Sequence, residues 1–251
     1  MMITPVFLVT RPEPQASQLV QSLALAGLRA LALPMIAIQP LPESAPLRAI
    51  WQNLAQFDKV IVTSTAAAQI GLYQAEQYWP QWPAGLMWFA IGQATASVMQ
   101  QLSIDSTLSD QGADSEALLA LPSLQAIQQQ RVLLIKGKGG RSLIQQTLES
   151  RGADVTVCCV YERIEPAYHA QDVEQLIKDQ GVTTIIATSG EIASNLLEYI
   201  DGTMAANLQL IVPSERVALL QQNQQWADIF VAEGASDQAI LKCIQRYILK
   251  T

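Results

Sequence analysis

Hydroxyl-bearing residues recur at four points where an apolar run gives way to a helical pattern: Thr63-Ser64, Gly92 to Thr95, Thr188-Ser189-Gly190, and Ser214. At such a junction, free backbone N–H groups and hydroxyls converge and the helix dipole favours negative charge, so the chemistry on offer is anion binding. A single junction of this kind reads as an ordinary N-cap. Four at corresponding places in two halves of one chain weigh towards a ligand. The loop Gly137-Lys138-Gly139-Gly140-Arg141, with Lys136 just before it, has the same double reading. Its spacing is neither that of a Walker loop nor G-x-G-x-x-G, so a nucleotide is not signalled. Arg11 follows the first apolar run in Val9-Thr10-Arg11-Pro12 and Arg216 follows Ser214. A strand-end arginine can face a ligand crevice, and for Arg11 a surface salt bridge is an equal alternative. Tyr161 sets a phenol between the apolar segment Val155 to Val160 and the charged exit Glu162-Arg163-Ile164-Glu165-Pro166.

Other chemistries find little support. The single histidine, His169, lies in a polar loop after Pro166 and assembles no Ser-His-Asp set. Glu162, Glu165 and Glu191 show no spacing that singles out an acid/base pair, so each reads as solvated. Cys158 and Cys159 are adjacent on a predicted strand and point to opposite faces, while Cys243 lies in a C-terminal helix. With no C-x-x-C, neither a zinc site nor a disulfide framework is expected. Trp79 and Trp82, in QYWPQWP, read as packing around a proline-rich loop.

The elements that must carry these junctions repeat. Val132 to Ile135 reads as a buried strand ending at a glycine cluster, followed by a helix with Leu143, Ile144 and Leu148 on one face, a cap at Gly152, and a second strand. Val6 to Val9, a helix from about Gln15 to Ala26, Gly27, and Ala30 to Leu33 parallel it; Gly27 and Gly152 lie 125 positions apart. Ser64 and Ser189 keep that offset, each closing a strand, Val60–Ser64 or Ile185–Ser189, and each followed by a helix. Met87 to Ile91 leads to Gly92-Gln93-Ala94-Thr95 as Leu208 to Val212 leads to Pro213-Ser214-Glu215-Arg216. Two similar α/β units of alternating strands and helices, hence mostly parallel sheets, are predicted.

At 251 residues the chain suits two such domains, and half its residues are hydrophobic. A net charge of −7 with no basic stripe argues against a nucleic-acid partner. The most apolar window, Leu19 to Ile38, is broken by Gln21, Arg29 and Pro34, so no membrane span is expected. The opening MMITPVFLVTRPEP has no basic residue before its apolar run and does not read as a secretory signal, which makes the cytoplasm the expected location.

The ordered set LVTRP, IVTSTAA, AIGQATA, GADSEALL, LLIKGKGGR, RGADV, VYERIEP, TSGEI, VPSERVA and EGASDQAIL resembles the uroporphyrinogen-III synthase family over nearly the whole chain. Glu215 stands where some members carry a second hydroxyl. The resemblance implies two flavodoxin-like domains joined by a two-stranded antiparallel linker: residues 1–35 with 165–251 form the first, discontinuous domain, and residues 36–164 form the second. Pro34 to Pro42 and Val157 to Ile164 would be the linker strands and a hinge. Tyr161 would then lie at the mouth of an interdomain cleft, with Thr63, Ser64 and Thr95 on one wall and Thr188, Ser189 and Ser214 on the other.

The reaction implied needs no redox cofactor and no metal. Linear hydroxymethylbilane loses its terminal hydroxyl to give an azafulvene, the far ring attacks to form a spiro intermediate, and reclosure leaves that ring inverted. Tyr161 would donate to the departing hydroxyl. The Thr and Ser groups, Gly92, Gly137 and Gly190 with their N–H groups would hold acetate and propionate side chains, with Arg11, Lys136, Arg141 and Arg216 as further candidates. The family also implies a monomer, and contact with hydroxymethylbilane synthase stays open. Two alternatives remain at this level: a non-catalytic two-domain receptor for an acidic small molecule, and a sugar-phosphate isomerase or binding domain suggested by Thr188-Ser189-Gly190.

Overall fold

Short β-branched and leucine-rich runs alternate with amphipathic helices along the chain, and nearly every run becomes a strand in one of two sheets. The computed structural model describes residues 5–112 and 114–247. Ala113 of GADSEALL and the outer ends of the expected first domain, residues 1–4 and 248–251, lie outside the described residues. The strands are β1 (Val6–Val9), β2 (Arg29–Ala32), β3 (Ala37–Pro40), β4 (Lys59–Val62), β5 (Met87–Ala90), β6 (Ser106–Thr107), β7 (Arg131–Gly137), β8 (Asp154–Ile164), β9 (Thr184–Ile186), β10 (Gln209–Val212) and β11 (Asp228–Val231). The fold divides into two compact units, one ending at Ala37 and resuming at Ile164, the other Ile38–Arg163.

The first unit holds a five-stranded sheet in the order β11-β10-β9-β1-β2, with every neighbour parallel. Its side chains alternate between two cores. Leu8, Ile185, Leu210 and Val212 pack on one face, and Phe7, Val9, Ile186 and Ile211 on the other. A strand covered on both faces has no solvated side for polar residues, which is why these runs are almost wholly apolar. The helix Gln15–Leu25 buries Ala16, Leu19 and Leu23, and the helix Asp237–Tyr247 contributes Ile240 and Ile244 to the same layer.

The second unit holds a six-stranded sheet, β3-β8-β7-β4-β5-β6, parallel from β8 to β6. Val60, Val62, Leu133 and Ile135 face one core, while Ile61, Val132 and Leu134 face the other. β3 is shorter than the expected Pro34 to Pro42 strand, and Leu41 N–H reaches Val160 C=O at 2.9 Å just beyond it. β8 is longer than Val155 to Val160 and runs without a break through the segment Val157 to Ile164. Trp79 and Trp82 do pack as expected: their indole N–H groups donate to the carbonyls of Trp51 and Leu102, and Trp82 meets Trp88 edge-on.

The sequence echo is topological as well as local. Counting along the chain, the first sheet has the flavodoxin-type order 2-1-3-4-5. Matching β7 to β1, β8 to β2 and β4, β5, β6 to β9, β10, β11 gives the second sheet the same order, extended by β3. In the second unit, however, the counterpart of the opening β1-helix-β2 segment comes last in the chain. The two units are circular permutations of one arrangement.

Cysteine exposure follows strand geometry. Cys158 is buried at 1% and burial pushes its thiol pKa far up, whereas Cys159, the next residue, is half-buried. A thiolate-selective reagent should therefore modify Cys159 ahead of Cys158 in the native protein, as read by peptide mass spectrometry. Equal labelling of both before unfolding would contradict this packing.

Candidate functional site

In the second unit the expected residues gather where β7 and β4 end. This is the point at which connections leave the sheet in opposite directions, the usual place for a ligand in an open parallel sheet. Ser64, extended at φ −162°, caps the helix that begins at Thr65: its Oγ accepts from Ala67 N–H at 3.1 Å. The Tyr161 hydroxyl shares a 3.1 Å hydrogen bond with that same Ser64 Oγ. Thr63 is tied to β7 through its N–H and Oγ1, which both donate to Ile135 C=O at 3.1 and 3.3 Å. The helix carries a π turn at Ala68–Leu72, where Gly71 lies so near Ile135 and Val160 that a Cβ would sit 2.8 Å from Ile135 Cγ2.

Tyr161 reaches Ser64 because β8 is irregular. Lys136 pairs with Cys159 but Gly137 pairs with Tyr161, so Val160 has no partner of its own in that register and a bulge results. Val160 and Tyr161, although consecutive, consequently join the same core. A bulge re-aims the side chain that follows it. The phenol is held at 5% exposure, and Lys138 N–H donates to Tyr161 C=O at 2.7 Å, closing the irregularity.

Nearby cations are spread over the end of β7 and the loop that leaves it. Lys136 Nζ lies 3.3 Å from Arg141 C=O, Arg141 forms an exposed 3.5 Å ion pair with Glu116, and Lys138 pairs with Glu162 at 3.1 Å. At the end of β5, Gly92 is the N-cap of the helix Gln93–Gln101 with φ +77°, a conformation that favours glycine. Thr95 sits in that helix at 3% exposure.

In the first unit, five expected residues come together. Thr188, Ser189, Gly190, Ser214 and Arg216 line a cavity of about 520 Å³ at the carboxyl ends of β9 and β10. Ser189 repeats the Ser64 arrangement, with φ −154° and its Oγ accepting from Ile192 N–H at 3.2 Å, at the start of the helix Gly190–Leu197. Ser214 differs. Its side chain makes no cap bond to the helix Glu215–Gln221, which leaves its hydroxyl to the cavity. Glu191, Ser194 and Leu220 also line it and were not anticipated; Ser194, one helical turn beyond Gly190, could have been found from periodicity. Arg11 is not among the lining residues. It is buried, its Nη2 lies 3.0 Å from Asp237 Oδ1, and burial pulls its pKa down while Asp237 raises it.

A second hollow of about 380 Å³, lined in part by Glu174, Lys178, Asp201 and Asn207, opens at the amino ends of β9 and β10. Lys178 already pairs with Glu174, and Asp201 caps Met204, so these polar groups are engaged in local structure. The carboxyl-end cavity has the converging hydroxyls and a helix N-terminus, and it is the one with anion-binding chemistry.

The chain matches one family of known proteins over most of its length. The family described as uroporphyrinogen-III synthase HemD matches residues 17–242. Uroporphyrinogen-III synthase of Escherichia coli K12 is 36% identical over 248 residues, covering 95% of this chain and 99% of its own. That of Salmonella typhimurium LT2 is 34% identical over 243 residues, with 95% and 99% covered. A mutant uroporphyrinogen III synthase from Thermus thermophilus has the same fold at a TM-score of 0.63 and 15% identity, covering 98% of this chain and 100% of that one. The Helicobacter pylori enzyme does so at 0.61 and 17%, covering 97% and 99%. With its family model spanning most of the residues and curated relatives aligned nearly end to end, this chain belongs to the uroporphyrinogen-III synthase family.

Proposed function

We infer that Tyr161, supported by Ser64, assists departure of the substrate hydroxyl in the reaction of this enzyme, the cyclisation of hydroxymethylbilane to uroporphyrinogen III. The enzyme is a cyclising lyase: water is lost and the last ring is inverted through a spiro intermediate. The observation that carries the residue assignment is the hydrogen bond of the phenol to Ser64 Oγ at the carboxyl ends of β4 and β7. Ser64 Oγ already accepts from Ala67 N–H. When its own proton is donated to the phenol oxygen, the phenol proton is free for the departing hydroxyl, and the serine steadies the charge left on the phenol oxygen. General-acid help of this kind contributes about 10²–10⁴-fold.

The rest of the catalysis is positioning. Direct closure of the bilane competes, so the enzyme must hold an arrangement that favours spiro attack. In this reading Thr188, Ser189, Gly190, Ser214 and Arg216 hold acetate and propionate groups in the first unit, supported by their shared cavity. Gly92, Gly137, Lys136 and Arg141 are the corresponding groups in the second unit; Thr63 joins them only by releasing Ile135 C=O, and Thr95, buried within its helix, only by becoming uncovered. Arg11 joins them only by loosening its bond to Asp237. Carboxylate binding by an acidic chain poses no conflict, since local donors rather than net charge set the site.

The domains of this reading are residues 1–35 with 165–251 and residues 36–164, supported by the division of the fold at Ala37 and Arg163. No helix among the described residues is long and apolar enough to cross a membrane. A cytoplasmic monomer, in transient contact with hydroxymethylbilane synthase, completes the proposal.

The test is to supply freshly made hydroxymethylbilane in excess chelator and separate the type III from the type I product. Rapid formation of type III is expected, because the reaction as read here uses only protein groups. Type I alone at the spontaneous rate would overturn the reading, and activity restored by added metal would overturn its metal-free form.

A further inference from the structure

We infer that Gly137 is a positioning residue, whose missing side chain sets the Tyr161 hydroxyl on Ser64. The backbone at Gly137 does not require glycine, for its φ lies outside the left-handed region occupied by Gly139 and Gly140. What requires it is the phenol. A Cβ at residue 137 would lie 2.6 Å from Tyr161 Cζ, 2.7 Å from Cε2 and 2.9 Å from the hydroxyl oxygen, and these are its three nearest atoms.

The contact follows from the bulge. Because β8 slips by one residue between Cys159 and Tyr161, Gly137 is brought directly opposite Tyr161, and the ring folds over the bare Cα towards β4. Lys138 N–H to Tyr161 C=O, at 2.7 Å, fixes the backbone on the far side of the pair. Ordinary carbon–carbon contact is about 3.5–4.0 Å, so a methyl group at residue 137 would drive the ring off by roughly 1 Å. The hydroxyl, now 3.1 Å from Ser64 Oγ, would then leave hydrogen-bonding range. The glycines on either side of Lys138 thus have different duties: Gly139 and Gly140 serve the turn, and Gly137, at the end of β7, serves the phenol.

This inference rests on the reading of Tyr161 as the acid, and the experiment separates the two. Turnover is measured for Gly137→Ala, Tyr161→Phe and the double variant, with thermal melts to establish folding. Gly137→Ala is expected to lower kcat by about 10²-fold, as misplacement by about 1 Å can, with KM little changed. The double variant should be no slower than Tyr161→Phe alone, because the hydroxyl that Gly137 positions is already gone.

Wild-type turnover in Tyr161→Phe would sink the acid role. Wild-type turnover in Gly137→Ala, or an equal further loss when it is added to Tyr161→Phe, would sink the positioning role. Should Gly137→Ala fail to fold, Gly137→Ala is combined with Tyr161→Ala, which removes the ring. Tyr161→Ala alone is the reference, because it opens a cavity in the core. The double variant is expected to be as stable as that reference; a double variant clearly less stable than Tyr161→Ala would show that glycine is demanded there by something other than the phenol.

Discussion

Tyr161→Phe should lower kcat by about 10²-fold and the melting temperature by no more than a few degrees. The ring is 5% exposed and packs in the core with Ile135, Cys158 and Val160, so phenylalanine keeps almost all of the buried area. What it loses is the hydrogen bond to Ser64 and the proton aimed at the substrate. One such bond is worth about 0.5–1.5 kcal/mol in stability, whereas a general acid contributes about 10²–10⁴-fold in rate. The lower end of that range is expected because the donors that position the bilane stay in place. KM should hold, since the hydroxyl acts as the leaving group departs rather than in binding. The measurement is initial-rate formation of the type III product alongside a melt. A folded variant that turns over at the wild-type rate would leave Tyr161 with a packing role only.

Asp237→Ala should destabilise the protein by about 2–3 kcal/mol, and Arg11→Met by less than about 1 kcal/mol. The asymmetry comes from burial. The Arg11 side chain is 9% exposed and neither its Nε nor its Nη2 has a well-formed hydrogen bond among the described residues, so the Asp237 charge 3.0 Å away is what offsets its burial, and without Asp237 an uncompensated cation stays buried. Asp237 is 33% exposed and still accepts from Ser22 Oγ at 2.9 Å, so it tolerates the loss of Arg11. That exposure also keeps the Asp237 value below the roughly 3–5 kcal/mol typical of breaking a fully buried pair. Urea midpoints at unchanged m report both numbers. Equal losses from the two variants would contradict the account, and a raised KM in Arg11→Met would add Arg11 to the groups that meet substrate carboxylates.

Much of this architecture was legible one segment at a time. Runs such as Val60–Val62 and Leu210–Val212 are apolar because both faces of a central parallel strand are covered, and that local signal needs no tertiary knowledge. The hydroxyls at residues 64 and 189 were readable because a cap must immediately precede its helix. Their matching dihedrals show why the same residue type recurs 125 positions later. Ser214 shows the limit of this reasoning: it occupies the same kind of junction, yet its hydroxyl does not cap.

The sequence alone determined the alternating strands and helices, the repeated glycine and serine junctions, and the resemblance to one family, all of which depend on neighbours a few residues apart. Tertiary structure decided which distant residues meet. The permuted strand order places β7 beside β4, although 68 residues separate the last residue of one from the first of the other. Arg11 finds Asp237 at the opposite end of the chain, and a single unpaired residue in β8 turns Tyr161 onto Ser64 across the bare Cα of Gly137. A bulge and a missing Cβ act through space on side chains far away in sequence. Their effect has no period or composition to betray it, because it exists only once the strands that carry them have been brought side by side.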